Sequence, residues 1–122
     1  MPKRKVIRSS KKIIRIRFRC WVEVDGVKFF GPGPADLFQK IIDYGSITQA
    51  AKSMGMSYKK AWALIDDINA VAKKPYIITN KGGRQGGGAE VTPAGKKAMA
   101  NFRRLHKKIS SIVRSERALL TI

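Results

Sequence analysis

The 122-residue sequence predicts an α+β fold, and three features carry that expectation. Apolar residues alternate with period two up to Phe30, then recur with a helical period from about Ala35. Two helical patterns follow, separated by Gly55-Met56, where a glycine can take the left-handed backbone of a tight turn. Behind them, two short apolar strands flank Lys81–Gly88, a stretch with five glycines in eight residues. Helix, turn, helix and glycine-rich hairpin, in that order, describe a winged helix-turn-helix with an N-terminal β-hairpin.

The elements follow in sequence. Residues 1–12 hold six basic residues and no acid, and read as a flexible arm able to lie along phosphates. From Ile14, the residues Ile14, Ile16, Phe18, Cys20, Val22 and Val24 point one way. Arg15, Arg17, Arg19, Trp21 and Glu23 point the other. Asp25-Gly26 supplies a two-residue hairpin turn, Val27–Phe30 the returning strand, and Gly31-Pro32-Gly33-Pro34 ends it. A first helix from about Ala35 to Tyr44 turns Leu37, Phe38, Ile41 and Ile42 inward, and Gly45 stops it. Ser46 caps the second helix, with Gln49 completing a capping box, and Ile47, Ala50, Ala51 and Met54 face the core. Ser57 caps the third, which runs to about Ala72 and buries Ala61, Leu64, Ile65 and Ile68. Tyr76–Thr79 and Ala89–Val91 are the wing strands, and Thr92-Pro93 starts the last helix.

That last helix is expected to reach about Arg117. Ala98, Phe102, Leu105, Ile109 and Ile112 recur at spacings of four and three, with Leu119 one heptad further and Glu116 breaking the seam. Such a stripe outruns a small core, so residues 96–122 are expected to form a homodimerisation helix behind a winged domain of residues 13–95. A two-fold dimer would offer two recognition helices to successive major grooves.

The charge is the strongest constraint on function. Lys and Arg total 26 against 8 Asp and Glu, a formal net charge of +18. A surface that positive is best tolerated beside a polyanion, with nucleic acid ahead of an anionic membrane. No apolar run approaches the roughly 20 residues of a membrane span, and the basic N-terminus has no signal-peptide core. Cys20 and His106 are single residues of their kind, which leaves no disulfide and no metal-ligand spacing and points to a reducing, cytoplasmic setting near the nucleoid. Cys20 reads as a small core residue and His106 as surface. Asp66-Asp67 diverge on one helix and do not form a facing acid/base pair. The glycine loop enters a strand at Ala89-Glu90, not the Gly-Lys-Ser/Thr start of a helix that a nucleotide site needs. No enzyme activity, cofactor, metal or small-molecule ligand is expected.

The stretch GSITQAAKSMGMSYKKAW, followed by PYIITNKGGRQGGGAEVTPAG, resembles the N-terminal DNA-binding domain of the ModE family, molybdate-responsive transcriptional regulators with a LysR-like helix-turn-helix. The likeness runs from about Gly33 to Phe102. Its most specific parts are Gly55-Met56-Ser57-Tyr58 with Ala61-Trp62, and the glycine wing running into Thr92-Pro93-Ala94-Gly95. The resemblance implies a winged-helix dimer on double-stranded DNA, with Ser57, Tyr58, Lys59 and Lys60 facing the duplex. Thr48 and Gln49 on the second helix, and Lys81, Arg84 and Gln85 in the wing, complete the expected contact set. Trp62 is expected to pack. The chain ends at Ile122, where regulators of this family continue into a molybdate-binding module, so a stand-alone DNA-binding domain without that sensor is expected. Two further readings stay open on the sequence. The charge would suit an architectural, DNA-coating protein. The N-terminal arginines with Trp21 would suit an RNA-binding or protein-interaction module.

Overall fold

The computed structural model describes residues 12–80 and 88–121. It is α+β: β1 (Val22–Val24), β2 (Val27–Phe30), α1 (Pro32–Tyr44), α2 (Ile47–Ser53), α3 (Tyr58–Val71), β3 (Ile77–Asn80), β4 (Gly88–Val91) and α4 (Pro93–Ser115), with a 3-10 turn at Ala118–Leu120. Strands β1 and β2 form one antiparallel pair and β3 and β4 another. One core joins them: Phe30, Leu37, Phe38, Ile41, Ile65, Ile77, Met99 and Phe102 are among its buried side chains. Its centre is aromatic. Phe30 sits edge-on to Phe38 at 5.4 Å and to Phe102 at 5.6 Å between ring centroids.

The helix boundaries follow from backbone chemistry. Gly45 closes α1 at φ 66°, donating its amide to Ile41 O at 2.7 Å. Ser46 Oγ accepts from the Gln49 amide at 3.2 Å, and Ser57 Oγ from the Lys60 amide at 3.1 Å. Gly55, at φ 63°, makes the turn between α2 and α3. Thr92 Oγ1 accepts from the Gly95 amide at 3.1 Å, with Pro93 at the first helical position of α4.

Several expectations are corrected. Helix α1 starts at Pro32, not Ala35. The first amides of a helix have no intrahelical partner, so Pro32 and Pro34 are accommodated in its first turn. The strand expected from Ile14 pairs only over Val22–Val24, because its partner lasts four residues before the helix begins. Residues 12–21 carry no regular pairing, yet Ile14, Ile16, Phe18 and Cys20 are half-buried while Arg15, Arg17 and Arg19 are exposed. Val22 and Val24, placed on the inward face by their alternation, are exposed, since β1 lies beyond the edge of the core. Ile42 is 41% exposed, one step round α1 from the packed Ile41. Leu64 and Met54 are partly buried against the core. His106 is no surface residue: it is half-buried and stacks on Phe18 at 4.8 Å.

The expected seam of α4 is divided between core and solvent. Met99 and Phe102 are buried, and His106, Ile109, Ser110 and Val113 are half-buried. The stripe packed within the chain shares Phe102 and Ile109 with the heptad positions. Leu105 and Ile112 are left 45% and 65% exposed, and the helix ends at Ser115, so Leu119 belongs to the following turn and does not continue the stripe.

Candidate nucleic-acid interface

Crossing helices need small residues where their backbones approach, and Ala50, Ala51 and Ala61 are fully buried between α2 and α3. That crossing leaves one face of each helix in solvent. On α2 the exposed residues are Thr48 and Gln49 in the first turn, with Lys52 one turn beyond Thr48 and Ser53 after it. On α3 they are Tyr58, Lys59 and Lys60, and further along Ala63, Asp66 and Asp67. Positive charge thus gathers at the N-terminal end of α3 and acidic charge on its second half. The helix dipole adds a partial positive charge at that same N-terminal end.

Individual side chains at this end are fixed by their neighbours. Tyr58 is 52% exposed, and its ring meets Trp62 edge-on at 6.0 Å. Trp62 is half-buried against the core, so it packs and steadies the tyrosine. The Ser57 hydroxyl oxygen is occupied by the Lys60 amide, while its own proton remains free to donate.

The second hairpin is fixed to the helices at three places. Asn69 of α3 receives the amides of Tyr76 (2.8 Å) and Ile77 (3.3 Å) on Oδ1 and donates Nδ2 to Ile77 O at 3.0 Å. Thr92 donates its amide to Tyr76 O at 2.9 Å and its hydroxyl to Pro75 O at 2.7 Å. Gly95 lies so close that a Cβ there would stand 2.5 Å from Tyr76 O. At the other end, the Ala89 amide donates to Gly45 O at 3.0 Å. Asn80 and Gly88, where the two strands stop, line one depression with Ile42 and Gly45. The loop end of the hairpin, at Asn80 and Gly88, therefore sits beside Gly45, two residues before the first turn of α2.

Of the expected contact set, six residues are described. Thr48, Gln49, Ser57, Tyr58, Lys59 and Lys60 lie on the ends of two crossed helices, whereas Lys81, Arg84 and Gln85 lie outside the described residues. Lys52 was missed, although its i, i+4 spacing from Thr48 was the available signal. The Asn69 clasp was missed as well; its only trace was a poor mid-helix residue beside the buried Ile68. Among the described residues no three potential metal ligands converge. No described helix is long and apolar enough to cross a membrane.

No protein-family model matches the chain. Over 75 residues it is 41% identical to the molybdenum transport protein ModE of Azotobacter vinelandii, covering 62% of this chain and 28% of that protein. This segment is ModE-like. The likeness recurs with the DNA-binding transcriptional dual regulator ModE of Escherichia coli K12, 38% identical over 69 residues, which are 57% of this chain and 26% of the relative. It recurs again with the molybdenum-pterin-binding protein MopB of Rhodobacter capsulatus, 37% identical over 71 residues and 26% of that protein. The chain spans about a quarter of the length of the relatives it matches. The ModE-like segment alone is long enough to include α2, α3 and the anchored hairpin.

Proposed function

We propose that this chain binds double-stranded DNA sequence-specifically as a transcriptional regulator of the ModE type. The observation that carries the reading is the Ala89–Gly45 hydrogen bond, which ties the glycine-rich hairpin, near its loop end, to the stop of α1 that leads into α2. A helix with exposed donors at its N-terminus, next to a hairpin of that kind, suits major-groove reading with backbone contacts from the wing. Tyr58, Lys59 and Lys60 read base edges, Ser57 and the first turn of α2 hold phosphates, and Lys81, Arg84 and Gln85 extend the grip. Phosphate contacts supply most of the affinity, so binding weakens steeply with salt.

Selection of bound sequences from random duplexes tests this directly. A defined motif is expected, and Lys59→Ala or Tyr58→Ala should lower affinity for it by roughly 1–3 kcal/mol per base-edge contact and relax the preference at single positions. Unchanged preference in both variants would remove the recognition-helix assignment. Loss of all binding under excess random DNA would favour an architectural coat over a regulator.

The working unit we propose is a homodimer of this chain through α4, using the exposed Leu105 and Ile112. Between Pro93 and Ser115 this helix has seven Lys and Arg and no acid, so two copies repel each other at low ionic strength. Light scattering should show dimers tightening with added salt, opposite to the trend for DNA. Ile112→Asp should give monomers, and a persistent dimer in that variant rules the surface out.

A further inference from the structure

Away from α3 lies a second concentration of positive charge. Residues 12–20 contain Lys12, Arg15, Arg17 and Arg19 and no acid, and α4 is likewise free of acids. The two elements meet where Phe18 stacks on His106 at 4.8 Å. Arg17 and Arg19 border a depression with Phe18, His106 and Pro32. An adjoining one, sharing His106 and Pro32, is bordered by Arg103, Lys107 and Arg114, with Asp36 as the carboxylate on its rim. The surface is therefore one basic face. Helix α4 packs chiefly on α1 and β4, and α3 on α2 and β2, so this face is built on elements other than those that carry the N-terminal end of α3.

A solvated basic face needs no order, but here exposed arginines alternate with half-buried apolar residues. Ile14, Ile16, Phe18 and Cys20 are half-buried, which holds the intervening arginines outward at every second residue. Two residues of extended chain advance about 6.6 Å, a step comparable to that between neighbouring phosphates along a nucleic-acid strand. The Arg103 guanidinium donates to the neutral amide oxygen of Gln39 at 2.9 Å. At the end of the row, Trp21 lies under Lys28 Nζ at 4.1 Å and Arg19 Cζ at 5.8 Å, so an aromatic face steadies two cations without cancelling either.

We propose that Arg15, Arg17 and Arg19, backed by Arg103 and Lys107, form a second phosphate-binding rail that takes the backbone of a second DNA duplex. This rests on the reading of α3 as the recognition helix, and it adds that one molecule bridges two duplexes. The rail reads no bases, because guanidinium contacts to phosphate carry no sequence information.

The test uses the full chain and the triple variant Arg15→Gln, Arg17→Gln, Arg19→Gln. On a sequence-unrelated duplex, the slope of log affinity against log salt should become shallower by about 2.7, three lost phosphate contacts at about 0.9 each. With a duplex carrying the selected motif immobilised and saturated, wild-type protein should retain a second, labelled random duplex and the triple variant should not. The triple variant should keep the wild-type motif in a random-duplex selection. An unchanged slope, or retention of the second duplex by the variant, overturns the proposal, as does retention of single-stranded RNA in place of duplex. If the triple variant fails to fold, Arg103→Gln with Lys107→Gln decides, with an expected slope change of about 1.8 by the same count. Loss of motif preference in Lys59→Ala reports on α3 alone, so failure of the rail and failure of the recognition helix are distinguishable.

Discussion

The two hairpins are alike in size and opposite in the way they are held. Strands β1–β2 turn through Asp25 at φ 51° and Gly26 at φ 79°, and their residues are exposed up to Lys28. Their attachment is apolar and comes at one end. Phe30 is buried among rings, Phe29 meets Tyr76 at 5.9 Å, and Trp21 packs on Gly31 so closely that a Cβ there would strike its ring. A register shift between Val22 and Glu23 leaves Phe29 as an extra residue on β2, which lets two consecutive aromatics both reach Tyr76. Strands β3–β4 are instead fixed by directional bonds to α1, α3 and the α4 cap. Apolar packing tolerates small shifts in angle, whereas hydrogen bonds with defined geometry do not. A hairpin that must aim at a duplex needs the second kind of mounting.

If that difference is real, the largest effect belongs to Gly95. Its missing Cβ is what allows α4 to approach Tyr76 O, which also accepts the Thr92 amide. Gly95→Ala should destabilise by about 3 kcal/mol, the upper end of the range for overpacking. By thermal unfolding that is a fall in Tm of roughly 12 °C at about 4 °C per kcal/mol. A fall under a few degrees would mean that the hairpin base can shift freely, and the contrast between the mountings would collapse.

Asn69→Ala comes next. It leaves the amide of Tyr76 without its 2.8 Å partner in a part-buried site, at a cost of about 2 kcal/mol. Its more telling consequence is on binding, because Asn69 is exposed to no duplex in the proposed geometry yet fixes the wing to α3. DNA affinity should fall in a titration done well below Tm, where the fold is intact. Wild-type affinity in that variant would show that the clasp stabilises the hairpin without aiming it.

How much of this was legible in the sequence depends on whether the cause was local. The caps at Ser46, Ser57 and Thr92 and the stops at Gly45 and Gly55 depend on backbone geometry within a few residues, and each stands where its residue type implied. The failures depended on what lies across the fold. Alternation from Ile14 to Val24 could not say that the partner strand stops after four residues, or that Phe18 finds His106 on a helix nearly ninety positions away. In α4 the core takes Met99 and His106 as well as Phe102, and neither of the first two lies on the heptad spacing. On the candidate interface, the ends of α2 and α3 were readable because exposed donors followed recognisable caps. The mounting of the wing was not, since Asn69 and Gly45 act on residues separated from them in sequence.

The smallest expected effect is at the turn of the first hairpin, and it isolates backbone strain from packing. A Cβ added at Gly26 meets nothing within 4 Å, so Gly26→Ala tests only the left-handed φ of 79°. A left-handed alanine costs about 1–2 kcal/mol, but that is an upper limit on the measured loss here. Because β1 and β2 are exposed around the turn, the hairpin can open locally and relieve the strain without unfolding the core. The expected fall in stability is therefore about 1 kcal/mol or less, and Gly26→Asn, which tolerates the left-handed region better, should recover part of it. Affinity for DNA should be unchanged in both variants, because among the described residues this hairpin meets α3 by packing of β2 alone, without hydrogen bonds of the kind by which Asn69 and Ala89 tie the second one. Should Gly26→Ala weaken DNA binding as much as Asn69→Ala, the first hairpin would also have to be an aiming element, and its apolar mounting would be stiffer than its exposure implies.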